Sequence, residues 1–322
     1  MAKSNDSNEI KITRIYDASL KAVWDAWTDP NQVAKWWGPR GFTLTTHSKD
    51  LRPGGTWDYT MHGPDGTDYP NYTTYHEVEP YALLVYDHGG TRTTPPLFRV
   101  TARFTEVERG KRTRLDMTMA LETVEAARET RKFIKKAGGE STWDRLDEYL
   151  AKEATGEERF VINRSFDAPI AKMWELWTNP EHFSRWLPPT GATMKFIEAS
   201  IRPGGTSRYV MKTDSGLTMY GRVHYLELTA PNKLVYTQEF CDEKGGPARH
   251  PMAPTWPAMM LTTVTLSEEG PDATRVTITW KVHGEHTAEE LATFTQGRAG
   301  MTMGWTGSFD KLEALVEEVS AK

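Results

Sequence analysis

Four polar side chains in the second half of the chain are of the types that do acid–base chemistry. Tyr220, Arg222 and His224 alternate along one run, and Glu239 follows on the next apolar segment. Residues two apart on a strand share a face, so Arg222 and His224 would point the same way. Facing a cavity, they could polarise a carbonyl or shuttle a proton. Facing solvent, they form an ordinary polar stripe, because half the positions of an antiparallel strand look outward. Other constellations offer less. His283 and His286 are three apart with Gly284 between them. Two ligands on one helix face want a spacing of four, so no metal is expected. Cys241 has no base beside it in sequence to depress its thiol pKa, and reads as a buried or rim thiol. Arg52-Pro53-Gly54-Gly55 and Arg202-Pro203-Gly204-Gly205 lack the Gly-Lys-Ser/Thr of a phosphate cradle and read as tight turns. No Gly-x-Ser-x-Gly elbow is present, and no cofactor is expected.

Large apolar side chains supply the second kind of candidate. Trp57, Tyr59 and Met61 alternate after one Gly-Gly turn, and Tyr209 and Met211 after the other. Such a stripe is either core or the wall of a ligand cavity. Tyr72 and Thr74 stand 150 residues before Arg222 and His224 and offer neither charge nor imidazole. The second half therefore carries more of the expected binding surface. Trp280 lies on one of its later strands. Met301, Met303 and Trp305, interspersed with Gly297, Gly300, Gly304 and Gly307, make its last helix apolar and easily bent.

These residues are held by a duplicated framework. Trp24-Asp25-Ala26-Trp27-Thr28-Asp29-Pro30 returns as Trp174-Glu175-Leu176-Trp177-Thr178-Asn179-Pro180, and Leu84-Val85-Tyr86 returns as Leu234-Val235-Tyr236. The step is 150 at each anchor, including the Arg-Pro-Gly-Gly turns. A unit of that length is a domain rather than a solenoid repeat. The boundaries are 1–150, a polar linker over 151–158, and 159–322.

Each copy opens with a period-two segment, Ile10 to Tyr16 and Phe160 to Phe166. Asp17 and Asp167 then stand where a helix cap is wanted. Leu20, Val23, Trp24, Trp27 and Ile170, Met173, Trp174, Trp177 mark one buried helix face each. Pro30 and Pro180 stop these helices. Alternating strands follow. Val100, Ala102 and Phe104 should pair with Leu115, Met117 and Met119, and Thr262, Val264 and Leu266 with Val276, Ile278 and Trp280. Long helical segments, Val124 to Leu150 and Ala288 to Val319, close the copies. The class is α+β, with each antiparallel sheet wrapped around its last helix. The second copy is 11 residues longer between Tyr236 and Arg275, within the stretch from Cys241 to Met260 that holds Trp256. That excess is either a tolerated surface insertion or a lid.

Composition narrows the partners. A formal charge of −5 with no Lys/Arg run argues against nucleic acid. No stretch has the length and apolarity of a membrane span. A single cysteine and a polar N-terminus lead us to expect a cytoplasmic protein. The 12 Trp and 13 Met suit a large core or an apolar cavity.

Arg14-x-x-Asp17-Ala18, Val23-Trp24-x-Ala26-Trp27-Thr28-Asp29-Pro30, Trp36-Trp37-Gly38-Pro39 and Asp50-Leu51-Arg52-Pro53-Gly54-Gly55 together resemble the activator-of-heat-shock-ATPase-like branch of the SRPBCC superfamily. The second copy matches at Arg164, Asp167-Ala168, Trp174, Trp177-Thr178, Pro180, Trp186, Arg202 to Gly205 and Trp305. It departs at Leu187-Pro188 and Ser200. The resemblance implies two tandem helix-grip domains of the START or birch-pollen-allergen type. It carries over no catalytic residue, because the shared motifs look like scaffold. Relatives of this kind bind small molecules, and some are cyclases or hydrolases. The resemblance thus implies a small hydrophobic or aromatic ligand; the residues themselves place it mainly in the second domain, with Tyr209, Met211, Tyr220, Arg222, His224, Glu239, Trp256, Trp280, Met301 and Trp305 as candidates and Trp57, Tyr59 and Tyr72 as first-domain counterparts. A cofactor-independent cyclase, aromatase or hydrolase acting on a polyketide-like substrate is one alternative. A module that binds a chaperone or other protein is another.

Overall fold

The computed structural model describes residues 7–137 and 141–320. The chain divides into two compact units, Met1–Glu157 and Glu158–Lys322. The first runs β1 (Glu9–Tyr16), α1 (Leu20–Thr28), α2 (Pro30–Val33), β2 (Thr43–Lys49), β3 (Thr56–His62), β4 (Asp68–Glu79), β5 (Leu83–His88), β6 (Phe98–Val107), β7 (Arg112–Ala120), α3 (Val124–Ala137) and α4 (Ser141–Thr155). The second runs β8 (Arg159–Phe166), α5 (Ile170–Thr178), α6 (Pro180–Trp186), β9 (Ala192–Glu198), β10 (Thr206–Thr213), β11 (Thr218–Thr229), β12 (Lys233–Cys241), β13 (Met259–Gly270), β14 (Ala273–Val282), α7 (Ala288–Gln296) and α8 (Arg298–Ser320).

Each unit holds one seven-stranded antiparallel sheet. The orders are β1-β7-β6-β5-β4-β3-β2 and β8-β14-β13-β12-β11-β10-β9. Strands two to seven of each unit form a meander, and the first strand closes against the last. The expected hairpin registers are met: Val100, Ala102 and Phe104 face Met119, Met117 and Leu115, and Thr262, Val264 and Leu266 face Trp280, Ile278 and Val276. Inward residues of the sheet share one core with the helices. Trp24, Trp27, Trp143 and Leu146 pack with Phe104 and Leu115 in the first unit, and Trp177, Trp305 and Phe309 with Val264 and Ile278 in the second. These are two helix-grip domains in tandem.

The repeated motifs turn out to be structural. Asp29 caps α2 by accepting from the amides of Asn31 and Gln32, and Asn179 caps α6 through Glu181. Trp36 and Trp186 donate their indole N–H to the carbonyls of Ala26 and Leu176, both at 2.9 Å. In the Gly-Gly turns a Cβ on Gly55 would lie 2.2 Å from the Asp50 carbonyl oxygen, and one on Gly205 2.1 Å from that of Ser200. Only glycine fits there, and the Gly-Gly backbone itself pairs with Tyr75 or Tyr225.

Several local expectations fail. Ser19, not Asp17, caps α1 by accepting from Ala22, while Pro169 precedes α5 with no side-chain cap. Asp17 instead pairs with Arg112 at 2.6 Å. Pro30 and Pro180 open the second helices rather than merely stopping the first, because a missing N–H costs nothing in a first turn. Each closing segment is two helices. The second copy breaks at Gly297, and residues 138–140 between α3 and α4 lie outside the described residues. α4 continues to Thr155, into the stretch taken as linker.

Candidate ligand-binding site

The first domain has a half-open pocket of about 140 Å³ between its sheet and α4. Three inward rows build the wall. Tyr86 and His88 come from β5, Phe98 and Val100 from β6, and Met117 and Met119 from β7. Strand register places them side by side, with His88 opposite Phe98 and Val100 between Tyr86 and Met119. Met61 closes one end from β3. Thr142 and Trp143 cover the space from α4, and Trp37, Gly38 and Pro39 line it from the segment after α2.

That segment is pinned to α4. Arg145 donates to the carbonyls of Gly38 at 2.8 Å and Pro39 at 2.9 Å. Arg40 pairs with Glu148 on the same helix through two guanidinium–carboxylate bonds, a forked geometry that fixes orientation. Gly38 adopts φ +92° and brings its backbone close to the Met61 sulfur, which a side chain there would crowd.

The wall is apolar and aromatic with a few polar atoms. His88 stacks on Phe98 with centroids 4.8 Å apart, and the Trp37 ring lies 6.2 Å away. Burial pushes the imidazole down to about 4, so it is neutral at physiological pH. By exposed surface the side chain is half-buried, and it lies on the pocket wall. Burial likewise raises the Tyr86 phenol well above its ordinary value, and it stays protonated. Thr142 adds a hydroxyl. A neutral imidazole offers one donor and one acceptor. The arrangement can therefore hold an apolar body and orient one polar atom, and the lining residues carry no charge that would be left unpaired.

The polar constellation expected in the second domain does not face its interior. Gly221, Val223 and Tyr225 are the buried positions of β11, which turns Tyr220, Arg222 and His224 to the opposite face. Arg222 bonds there to Glu239 at 2.6 Å, and His224 to the Thr206 hydroxyl at 3.2 Å. Tyr72 has the same outward placement in the first domain, opposite Asp58 and under the Arg92 guanidinium. Strand parity is the reason: alternate positions go to opposite faces, and the apolar ones take the core. Cys241 is buried, and burial raises its thiol pKa while Arg208 and Arg222 pull it back.

The aromatic expectations fare differently. Trp57 and Tyr59 are buried and stacked at 4.0 Å, yet Trp57 stands behind Trp37 rather than on the cavity wall. Tyr209 and Met211 pack against the second core. The Tyr209 ring lies where a Cβ on Gly221 would be, and burial pushes its phenol up to about 12. Trp280 turns inward against Trp305 at 5.6 Å, and Met301 is buried beside them. Met303 is 76% exposed and faces away. Trp256, on the inserted stretch, packs on Phe294 at 6.1 Å. Arg249–Glu290 and Thr255–Thr293 bonds tie that stretch to α7. His283 and His286 do not gather further ligands. Among the described residues no group of three or more His, Cys, Asp or Glu could hold a metal. None of their helices is long and apolar enough to cross a membrane.

Sequence reasoning missed His88, Phe98, Met117, Met119 and Trp143 as site residues. A signal for His88 was present. It is the next inward position after Leu84 and Tyr86 in a strand already identified by repetition.

No curated protein matches the chain. Among solved structures, an Arthrobacter aurescens protein is 25% identical, with a TM-score of 0.43, over 47% of this chain and 90% of its own. A Chromobacterium violaceum protein is also 25% identical, with a TM-score of 0.39, over 49% and 96%. A Mycobacterium smegmatis protein is 21% identical, with a TM-score of 0.41, over 49% and 89%. The family model described as Activator of Hsp90 ATPase homolog 1-like protein matches residues 17–151 and again 167–317. The chain belongs to that family, with two copies of its domain.

Proposed function

We propose that this protein binds a small apolar or aromatic molecule, and that the first-domain cavity is the site. The carrying observation is the space itself: about 140 Å³ between sheet and helix, walled by Trp, Tyr, Phe and Met side chains, with the His88 imidazole as a polar group on its wall. An apolar cavity supplies affinity, and a few polar groups supply orientation. This moves the expected weight from the second domain to the first. The polar residues that favoured the second domain lie on its outward face, which removes their support for a ligand there.

Methionine-methyl NMR tests the reading. Met61, Met117 and Met119 line the cavity. Met211, Met260 and Met301 belong to the other core. Xenon or toluene should shift the first set and leave the second in place. A Val100→Phe substitution, which fills the cavity, should abolish the shifts. Movement confined to the second set would return the site to the second domain.

A further inference from the structure

Three properties of the first-domain cavity set the chemistry of what fits it, taking as given the binding reading above. The first is size. A cavity of roughly 150 Å³ lined by apolar side chains holds one benzene ring. The space here is about 140 Å³. One six-membered ring with one small substituent fills it, and a fused second ring would extend past the apolar wall through the pocket's open side or require the sheet or α4 to move. The pinning of the Trp37–Pro39 segment by Arg145, and of Arg40 by Glu148, opposes such movement.

The second property is charge. The wall contains no Lys, Arg, Asp or Glu. An ionised ligand would lose its hydration with no counter-charge to replace it, which costs far more than an apolar cavity returns. The third is the position of His88. Its ring is clamped by Phe98 on one face and approached by Trp37. The side chain is half-buried on the pocket wall, so a matching ligand group can reach its imidazole, which offers one donor and one acceptor.

We propose that the cavity selects an uncharged single-ring aromatic bearing one hydroxyl or N–H, of the phenol or azole class, with that group donating to the His88 imidazole. Its ring lies among Phe98, Met117, Met119 and Trp143. The second domain carries Gln238 at the position of His88 and so lacks the same acceptor ring.

Calorimetric titration of the full chain with phenol, toluene, benzoate and 2-naphthol at pH 7 tests this, with methionine-methyl NMR to locate each ligand. Phenol should bind at least tenfold tighter than toluene. The His88→Leu variant should bring phenol down to toluene while toluene keeps its affinity. His88→Phe, which keeps a ring without an acceptor, serves the same comparison if the leucine variant does not fold. Benzoate and 2-naphthol should bind at least tenfold more weakly than phenol. Equal binding of phenol and toluene to the unaltered protein would overturn the role of His88 and leave the cavity reading standing. Binding of benzoate or 2-naphthol as tight as phenol would overturn the selection by charge or by size. Failure of both phenol and toluene to move the first-domain methyls would bring down the binding reading itself.

Discussion

The two domains share a backbone plan and part company at a few inward positions. Strand register aligns them residue by residue. Leu84 pairs with Ala102, and Leu234 with Val264. Val100 pairs with Met119, and Thr262 with Trp280. His88 pairs with Phe98, and Gln238 with Met260. The second domain thus places Val where the first has Ala, and Trp where it has Met. Trp280 reaches Trp305 across the space under α8. The first domain keeps smaller or thinner side chains there and a cavity beside Trp143. Motifs that repeat, the Trp-bearing helix and the Gly-Gly turn, hold the scaffold. Side-chain volume at positions that do not repeat sets what the scaffold encloses.

That comparison breaks first at its shared part. Trp27 and Trp177 hold equivalent places. Trp27 touches Trp36, Trp37, Phe104 and Trp143, and Trp177 touches Phe183, Trp186 and Trp305. Both are buried. Trp27→Ala and Trp177→Ala should each cost about 3–5 kcal/mol, the range for emptying a large aromatic from a core. Denaturant titration read through Met117 and Met260 methyl signals should move only the transition of the altered domain. A loss below about 1 kcal/mol would remove the claim that this motif is structural.

The next effect belongs to the first domain alone. The folded His88 stays neutral down to about pH 4, whereas in the unfolded chain it takes up a proton near 6.5. Between those values the unfolded state binds the extra proton, so stability falls as pH drops from about 6.5 toward about 4. The span corresponds to roughly 3 kcal/mol at most. Other groups titrate in that window too, so the measurement is the difference between the unaltered protein and His88→Leu. The variant should lose this part of the pH dependence in the first-domain transition. Identical pH profiles would show that His88 is solvated in the folded state.

How far the sequence could be read follows the same division. Repetition made the domains and their anchors visible. Period-two runs gave the register of β6 on β7 and of β13 on β14. The polar residues Tyr220, Arg222 and His224 do not by themselves set which way they face. Val223 and Tyr225 between them are the apolar set, and a strand commits its apolar set to the core. His88 was legible by the same rule and was passed over. The cavity was not legible at all. It depends on how much volume Met119, Val100 and Trp143 leave unfilled together, and no periodicity reports a sum of volumes across three elements. Nor was the break within the last helix placed, although Gly297 stood in view as a residue of weak helix propensity.

A smaller effect separates Tyr59 from Tyr209. Tyr59 is opposite Asn71, and Tyr209 is opposite Gly221. The Tyr209 ring fills the room that Gly221 leaves; an added Cβ would come 2.2 Å from the ring carbon that bears the hydroxyl. Gly221→Ala should therefore push the ring aside and cost about 1–3 kcal/mol by overpacking. The same substitution in a Tyr209→Ala background should cost much less, because the two side chains are coupled through contact. Additive losses in the double-mutant cycle would mean that the strand, rather than the ring, resists the change.

The smallest expected effect is at Arg222, which occupies the place that Tyr72 has in the first domain. Both lie on outward faces, each in a polar cluster with an arginine and a carboxylate. In the second domain Arg222 and Glu239 remain 34% and 22% exposed, so water screens the pair, and the contact to the Gly245 carbonyl is long at 3.3 Å. Exposed pairs of this kind are worth about 0–1 kcal/mol. Arg222→Leu should fall in that range by denaturant titration and leave phenol binding to the full chain unchanged. The contrast with His88→Leu is what gives the measurement its force. Both substitutions remove one polar group from a strand, but only one of those groups lies on a cavity wall. If Arg222→Leu weakened ligand binding tenfold while His88→Leu did nothing, the functional face would be the outer surface of the second sheet, and the difference drawn between the two domains would have to be reversed.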